Sequence, residues 1–244
     1  VREVGSSTLL APTILNKHLM NNIQAKLLIL IPAFNAAGNL EELISRIKKA
    51  ISTAEILVIN DGSNDQTETI AKKMDAVVLT NMQNRGKGYS LRRGFNYAIA
   101  GKYDYLITID ADLQHRPEEI EKFLNSSRDN HISVGTRRIA VNRMPISRWL
   151  SNNLTSLIVS ILGGKLVRDS QSGFRMFKIE TLKKMTAQSN RFDFESELLF
   201  QTGLLNINIV EVPISTIYDK EKSSMNHLLD TGRFIRQIWR RVLK

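Results

Sequence analysis

The stretch KLLILIPAFNAAGNLEELISRIKKAISTAEILVINDGS, Lys26 to Ser63, decides the fold. Leu27 to Pro32 is a continuous apolar run stopped by a proline, the pattern of a buried strand. Leu40, Leu43, Ile44, Ile47 and Ile51 then recur at helical spacing over Asn39 to Ser52. Glu55 to Asn60 is a second apolar strand, closed by Asp61-Gly62-Ser63. A strand, a helix and a strand in so short a span make a unit of two parallel strands and a crossover helix.

The rhythm continues outward from there. Ser63 predicts a cap for the next helix, with Gln66 at the capping-box position. Ala76 to Thr80 reads as a third strand, Gly88 to Ala100 as a helix and Tyr105 to Ile109 as a fourth strand. Pro117, followed by Glu118 and Glu119, suits the first turn of a helix. Ile132 to Gly135 is a short fifth strand. After Thr136 the rhythm changes: Ser147 to Leu162 and Phe194 to Leu205 read as helices, Gly173 to Lys178 and Ile207 to Ile214 as strands. The expectation is an α/β fold, a Rossmann-like, mostly parallel sheet with helices on both faces, completed by the second half of the chain.

The 244 residues suffice for one ordinary domain, or one and a small appendage. Hydrophobic residues make up 42% and charged residues 24%, which excludes a disordered or collagen-like chain. With no cysteine there is no disulfide framework, thiolate metal site or cysteine nucleophile. Lys and Arg outnumber Asp and Glu 34 to 24, and a net charge of +10 suits polyanions: nucleic acid, anionic membrane or phosphorylated small molecules. No run approaches the roughly 20 apolar residues of a membrane span. Residues 1–25 form a poorly patterned arm. At the other end, Leu228 to Leu243 can form a helix with Phe234, Ile235, Ile238, Trp239 and Val242 on one face and Arg233, Arg236, Arg240 and Arg241 around it. Such a basic amphipathic helix, over residues 226–244, either lies in a membrane interface or packs its apolar face on the domain.

Ligands of parallel sheets bind outside the carboxyl ends of the strands. Those ends carry Pro32-Ala33-Phe34-Asn35, Asn60-Asp61-Gly62-Ser63 and Asp110-Ala111-Asp112. Asp110 and Asp112, two apart at a strand end, are expected on one face, where they repel unless a cation lies between them. With the oxygen of Gln114 they suit Mg²⁺ or Mn²⁺; the bland alternative is a pair of solvated acids. Asp61 could accept hydrogen bonds from a nucleoside or simply end a turn. Asn84-Arg85-Gly86-Lys87-Gly88 is a basic glycine loop before a helix, which attracts phosphate without being a Walker loop. Asp169, ahead of Ser172-Gly173-Phe174-Arg175, could orient a nucleophile or act as a base. His18, His115, His131 and His227 show no ligand spacing and read as structural or exposed. Of Glu195 and Glu197, two apart on a helix, at most one points into a site.

Together these elements resemble the family 2 glycosyltransferases, the inverting GT-A class, and within it the dolichyl- and polyprenyl-phosphate glycosyltransferases of the dolichyl-phosphate mannosyltransferase type. The matching stretches are Ile31 to Ala36, Val58 to Ser63 with Asp65 to Thr67, Asn84 to Gly94, Ile109 to His115 with Pro117, Gly135 to Arg137, Asp169 to Phe177 and Glu211 to Pro213. The resemblance covers residues 26–225 and implies a nucleotide-binding half over 26–137 and an acceptor half over 138–225. It implies that Pro32, Ala33, Phe34 and Asn35 line the nucleotide pocket, that Asp61 contacts the base, and that Lys87, Asp110 and Ala111 lie along the nucleotide. Asp110, Asp112 and Gln114 would hold the metal, Asp112 being essential to catalysis. Arg137 would face phosphate groups. Asp169 with Ser172 and Gly173 would stand near the acceptor, Asp169 as base if that acceptor is a hydroxyl. Lys222 and Ser223 would belong to a basic loop over the phosphates. Ala36 departs from the family's glutamate at that place, and the chain ends at Lys244 without the membrane helices many relatives carry.

The implied reaction is metal-dependent, inverting transfer of a sugar from a UDP- or GDP-linked donor to a polyprenyl phosphate, in the cytoplasm or peripherally on its membrane face, with a separate membrane protein as partner and without nucleic acid. Three rivals stand beside it. One transfers the sugar to a hydroxyl of a polysaccharide or lipopolysaccharide. Another is a nucleotidyltransferase, which the missing triphosphate loop disfavours. The last is a non-catalytic nucleotide- or polyanion-binding protein, which lacks the basic-aromatic interleaving of nucleic-acid binders.

Overall fold

A computed structural model describes residues 25–126, 131–137, 146–190 and 193–215. Most of the N-terminal arm, Lys222, Ser223 and the expected C-terminal helix lie outside the described residues. The strands are β1 (Leu27–Ala33), β2 (Glu55–Asn60), β3 (Val77–Thr80), β4 (Tyr105–Thr108), β5 (His131–Arg137), β6 (Arg175–Lys178) and β7 (Asn208–Ile214). The helices are α1 (Ala37–Ala50), α2 (Thr67–Lys73), α3 (Lys87–Ala100), α4 (Ile120–Ser126), α5 (Ile146–Gly163), α6 (Ile179–Leu182) and α7 (Asp193–Leu204). Pro117–Glu119 is a single 3₁₀ turn leading into α4.

All seven strands join one sheet in the order β3-β2-β1-β4-β6-β5-β7. It is mostly parallel, as expected, and structurally mixed in one place: β6 runs antiparallel to both β4 and β5. The chain returns from α5 along the same edge at which β4 and β5 end, so β6 has to start there and run away from it. That reversal brings the Asp169–Gly173 turn to the carboxyl edge of the parallel strands.

Alternation along β1 explains the two core layers. Leu28 and Leu30 pack with Leu91, Phe95, Phe177, Phe194 and Leu198 on the face covered by α3 and α7. Leu27, Ile29 and Ile31 pack with Leu40, Leu43, Ile44 and Ile47 of α1 on the other. A strand buried on both faces reads as an unbroken apolar run, which is what Leu27 to Ile31 shows.

Candidate active site

The β1 and β2 ends are stitched together. Ala33 is buried, Pro32 half-buried, and Phe34 and Asn35 are exposed at the lip. Asn35 sits at φ +49°, a left-handed conformation that asparagine tolerates. Its backbone N–H donates to Ser63 Oγ at 2.9 Å, and its Oδ1 accepts the Asn64 N–H at 2.9 Å. Ser63 therefore does not cap the following helix, contrary to expectation: its hydroxyl is drawn to the β1 loop. Gln66 is the cap residue and makes no side-chain cap bond. Asp65 does the work instead, accepting the N–H of Thr67 at the start of α2 and that of Ala37 at the start of α1, both at 3.0 Å.

Asp61 is buried and committed to the neighbouring loop. Its Oδ1 accepts from Asn81 Nδ2 at 2.6 Å and from the Arg85 N–H at 2.9 Å, and its Oδ2 accepts the Gly86 N–H at 2.8 Å. Gly62, at φ +72°, lets the two loops touch, since a Cβ there would lie 2.6 Å from the backbone of Gln83. This packing sets Lys87 at the first position of α3.

β4 ends at Thr108, where its pairing with Arg175 of β6 stops, and the chain turns, with Leu113 at φ +57°. Asp110 and Asp112 are thus in the turn and do not share a strand face, which corrects the expectation from spacing. Asp110 is turned inward; Asp112 is exposed and its Oδ1 accepts the Gln114 N–H at 3.0 Å. Lys87 Nζ lies 2.7 Å from Asp110 Oδ1 and 2.9 Å from Glu195 Oε1. Burial alone would lower the lysine's pKa, but the two carboxylates outweigh it and hold the ammonium above its ordinary value. Asp110 is held below the usual carboxylate range: burial pushes it up, and Lys87, His115 and Arg137 together push it further down. Gly173 makes room for this carboxylate, because a Cβ there would collide with Asp110. Its carbonyl accepts from Thr108 Oγ1 at 2.8 Å.

Across the site, Arg137 and Asp169 form a bidentate pair, Nε to Oδ2 at 2.6 Å and Nη2 to Oδ1 at 2.7 Å, with both side chains no more than 5% exposed. Burial opposes ionisation of Asp169, but Arg137 more than compensates and keeps its pKa low. Arg175 fixes the turn between them by donating to the carbonyls of Ser170, Ser172 and Glu195. The hydroxyls of Ser172 and Thr136 are buried without a hydrogen-bond partner among the described residues.

Three groups received no role from the sequence. Glu195 reaches the site, whereas Glu197 turns away to accept the N–H groups of Gln188 and Ser189, so one of the pair points in, as the helical spacing requires. The signal for Glu195 is an acid flanked by Phe194 and Leu198 in an apolar helix. Glu119 is the second: buried, it accepts the Ser215 N–H at 2.9 Å and anchors the end of β7. His115 is the third. It is buried beside Phe174, with ring centroids 5.5 Å apart, and its Nδ1 has no hydrogen-bond partner among the described residues.

Burial pushes the pKa of His115 down from 6.5 to about 4, with Arg137 adding to the effect and Asp110 opposing it. The unfolded chain binds this proton first, so stability is whole above pH 6.5 and falls as pH drops toward 4. The full loss is roughly 3 kcal/mol. Urea midpoints from pH 7 to 4.5 check this: His115→Gln is expected to flatten the slope below pH 6.5, and an unchanged slope would assign it to other groups.

Among the described residues, no group of three or more His, Cys, Asp or Glu side chains is arranged to hold a metal. The turn offers two carboxylates and the Gln114 amide oxygen, and this all-oxygen set fits a hard cation of the Mg²⁺ or Mn²⁺ kind, which commonly shares its remaining positions with substrate phosphate.

Comparison with known proteins places this geometry. The model of glycosyl transferase family 2 matches residues 28–186. The undecaprenyl-phosphate mannosyltransferase of Micrococcus luteus is 30% identical over 79% of this chain and 84% of that one. A UDP-N-acetylglucosamine–dolichyl-phosphate N-acetylglucosaminyltransferase of Methanococcus voltae is 30% identical over 78% of this chain and 85% of its own. An uncharacterized protein of Methanocaldococcus jannaschii is 33% identical over 85% and 88%. Among solved structures, glucosyl-3-phosphoglycerate synthase of Mycobacterium tuberculosis, in complex with Mn²⁺, UDP-glucose and phosphoglyceric acid, superposes with a TM-score of 0.72 at 19% identity, covering 93% of this chain and 82% of that one. The sheet and helices described above are therefore a GT-A fold, and the chain is a glycosyltransferase that belongs to glycosyl transferase family 2.

Proposed function

We propose that this enzyme transfers a sugar, with inversion, from a UDP- or GDP-linked donor to the phosphate of a polyprenyl-type lipid, with Mg²⁺ or Mn²⁺ held by Asp110, Asp112 and Gln114. The observation that carries the reading is the state of the inward-turned carboxylates. Asp110 and Glu195 are held by Lys87, and Asp169 by Arg137. Asp110 and Asp169, held by these cations with their pKa lowered, are poor general bases. A hydroxyl acceptor needs such a base, whereas a phosphate is already anionic near neutral pH. The relatives named for undecaprenyl and dolichyl phosphate favour the same acceptor.

In this reading, residues 26–137 bind the nucleotide and residues 138–225 the acceptor. The exposed lip of Phe34 and Asn35, with Pro32 and Ala33 behind it, borders the base. Asp61 shapes that end by holding the loop at Arg85 and Gly86, and Ala111 lies alongside. A divalent ion at the Asp110 turn would offset the charge that grows on the leaving diphosphate. Lys87 contributes a fixed positive charge beside it. Arg137, Ser172 and Gly173 line the acceptor phosphate, with Asp169 orienting the guanidinium rather than taking a proton. The enzyme then works peripherally at the cytoplasmic membrane face.

The test supplies radiolabelled UDP- and GDP-sugars with Mn²⁺ to two acceptors, undecaprenyl phosphate and undecaprenol. Label entering the organic phase with the phosphate alone is expected. Transfer to undecaprenol, or only to a polysaccharide hydroxyl, would overturn the assignment.

A further inference from the structure

Glu195 is a carboxylate at the site to which the proposed reaction gives no task of its own. It stands in the first turn of α7 with its side chain 5% exposed, and its Oε1 lies 2.9 Å from Lys87 Nζ. The same ammonium lies 2.7 Å from Asp110 Oδ1, and the Asp110 side chain is 23% exposed. One lysine thus sits between two carboxylates of unequal access. Asp110 is the more open of the two at the carboxyl edge of the sheet, and Glu195 is closed in behind it.

The frame around Glu195 is bonded on both sides. Arg175 Nη1 donates to its carbonyl at 2.7 Å, while Nε and Nη2 donate to the carbonyls of Ser172 and Ser170, both at 2.8 Å. Phe194 and Leu198 flank it in the core. The segment ahead of α7 is tied to α3: the Tyr89 N–H donates to the Asn190 carbonyl at 3.2 Å, and Arg92 Nη1 to those of Gln188 and Ser189 at 3.0 and 3.1 Å. Lys87 opens α3 directly after Gly86, whose N–H is held by Asp61. The distance from Lys87 to Glu195 is therefore set by two helices bonded to each other, whereas Asp110 belongs to the turn after β4.

Asp110 carries the Lys87 ammonium, and the proposed function gives the same carboxylate to a divalent ion. Two cations on one carboxylate compete. The balance depends on what Lys87 keeps when Asp110 is shared, because an ammonium withdrawn from water needs a carboxylate beside it. Glu195 is that carboxylate. With both acids present, the three side chains carry a net negative charge that favours an incoming cation; without the Glu195 charge, Lys87 and Asp110 neutralise each other. We propose that Glu195 is a positioning residue, which holds Lys87 in place and thereby leaves Asp110 available to a divalent ion. The inference rests on the reading that Asp110 binds that ion.

The experiment measures Mn²⁺ binding to the full chain through the electron paramagnetic resonance of the free ion, with UDP or GDP at saturation and the nucleotide alone as blank. It compares wild type with Glu195→Gln, Lys87→Gln, the two combined, and Asp110→Asn, and thermal midpoints verify that each variant folds. Glu195→Gln keeps the shape of the side chain and removes its charge; it is expected to weaken Mn²⁺ binding about tenfold, within the range of couplings between contacting residues. Lys87→Gln should strengthen binding severalfold, and the combined variant should match Lys87→Gln within about twofold, because Glu195 acts through the lysine. Unchanged binding in folded Glu195→Gln would overturn the proposal. So would an equal loss from Glu195→Gln with and without Lys87, since Glu195 would then attract the ion directly. Turnover gives a check that needs no lysine variant: the deficit of Glu195→Gln should disappear at saturating Mn²⁺, and a deficit that persists there would overturn the proposal by giving Glu195 a part the ion does not mediate. Mn²⁺ binding unaltered by Asp110→Asn is a different failure: it would remove Asp110 from the metal assignment, and this role of Glu195 with it.

Discussion

Exchange of Asp112 for asparagine is expected to lower sugar transfer by about a thousandfold or more and to leave the thermal midpoint unchanged. The two halves of this expectation have separate causes. Asp112 is exposed, lies outside any strand, and accepts the Gln114 N–H through Oδ1, a bond that an asparagine oxygen retains. Folding therefore has little stake in its charge. The proposed reaction has a large one, because a leaving diphosphate would gain negative charge as the anomeric bond breaks, and electrostatic groups aimed at such charge commonly supply several kcal/mol. Asp110→Asn provides the contrast. It also removes a partner of Lys87 in a partly buried cluster, so its activity loss should come with a lowered midpoint. Measuring turnover and midpoint for both variants, over a Mn²⁺ titration, distinguishes the roles. Full activity in Asp112→Asn would take that residue out of the proposed metal set and leave Asp110 as the one carboxylate of the turn proposed to hold an ion.

The parts of this molecule that were legible in the sequence are those whose signal is local. β1 and β2 announce themselves because a strand covered on both faces needs an unbroken apolar run, and Leu27 to Ile31 and Ile56 to Ile59 supply it. α1 shows its period because one face meets the sheet and the other meets water. What stayed hidden depends on contacts between distant residues. β6 is legible as a strand over Gly173 to Lys178, but its antiparallel sense and the burial of Arg175 are not; only the three carbonyls that receive the guanidinium reconcile that charge with the interior. Spacing placed Asp110 and Asp112 on one strand face, but where β4 stops is set by its antiparallel partner, which the sequence does not specify locally. Ser63 and Asp65 compete for the same capping duty, and the choice between them depends on Asn35, on another strand end. Glu195 and His115 look ordinary until the turns that bear Lys87 and Phe174 are brought beside them. The family resemblance drew attention to the right edge of the sheet, and the structure adds the pairings that decide what each charge there can do.

Breaking the Arg137–Asp169 pair should produce the largest loss of stability of any single substitution in the site. Asp169→Asn leaves a guanidinium that is 5% exposed facing a neutral amide, and removing one partner of a buried pair costs about 3–5 kcal/mol. In a chain of this size that corresponds to a fall of roughly 6–20 °C in the thermal midpoint. The pH dependence has a definite sign. Asp169 has its folded pKa below the unfolded one, so its contribution is present above the ordinary carboxylate range and is lost as pH falls through the folded value. The variant should accordingly show a shallower acid limb than wild type, a readout that nonspecific damage would not produce. The double variant Arg137→Met/Asp169→Leu completes the argument. Filling the space with apolar side chains removes the uncompensated charge, and such replacements are often neutral or stabilising. The double variant is therefore expected to regain most of the lost midpoint while remaining inactive, because the guanidinium that the proposal assigns to the acceptor phosphate is gone. Recovery of both stability and turnover would show that the pair serves only the fold, and the acceptor phosphate would then have to be bound by other cations.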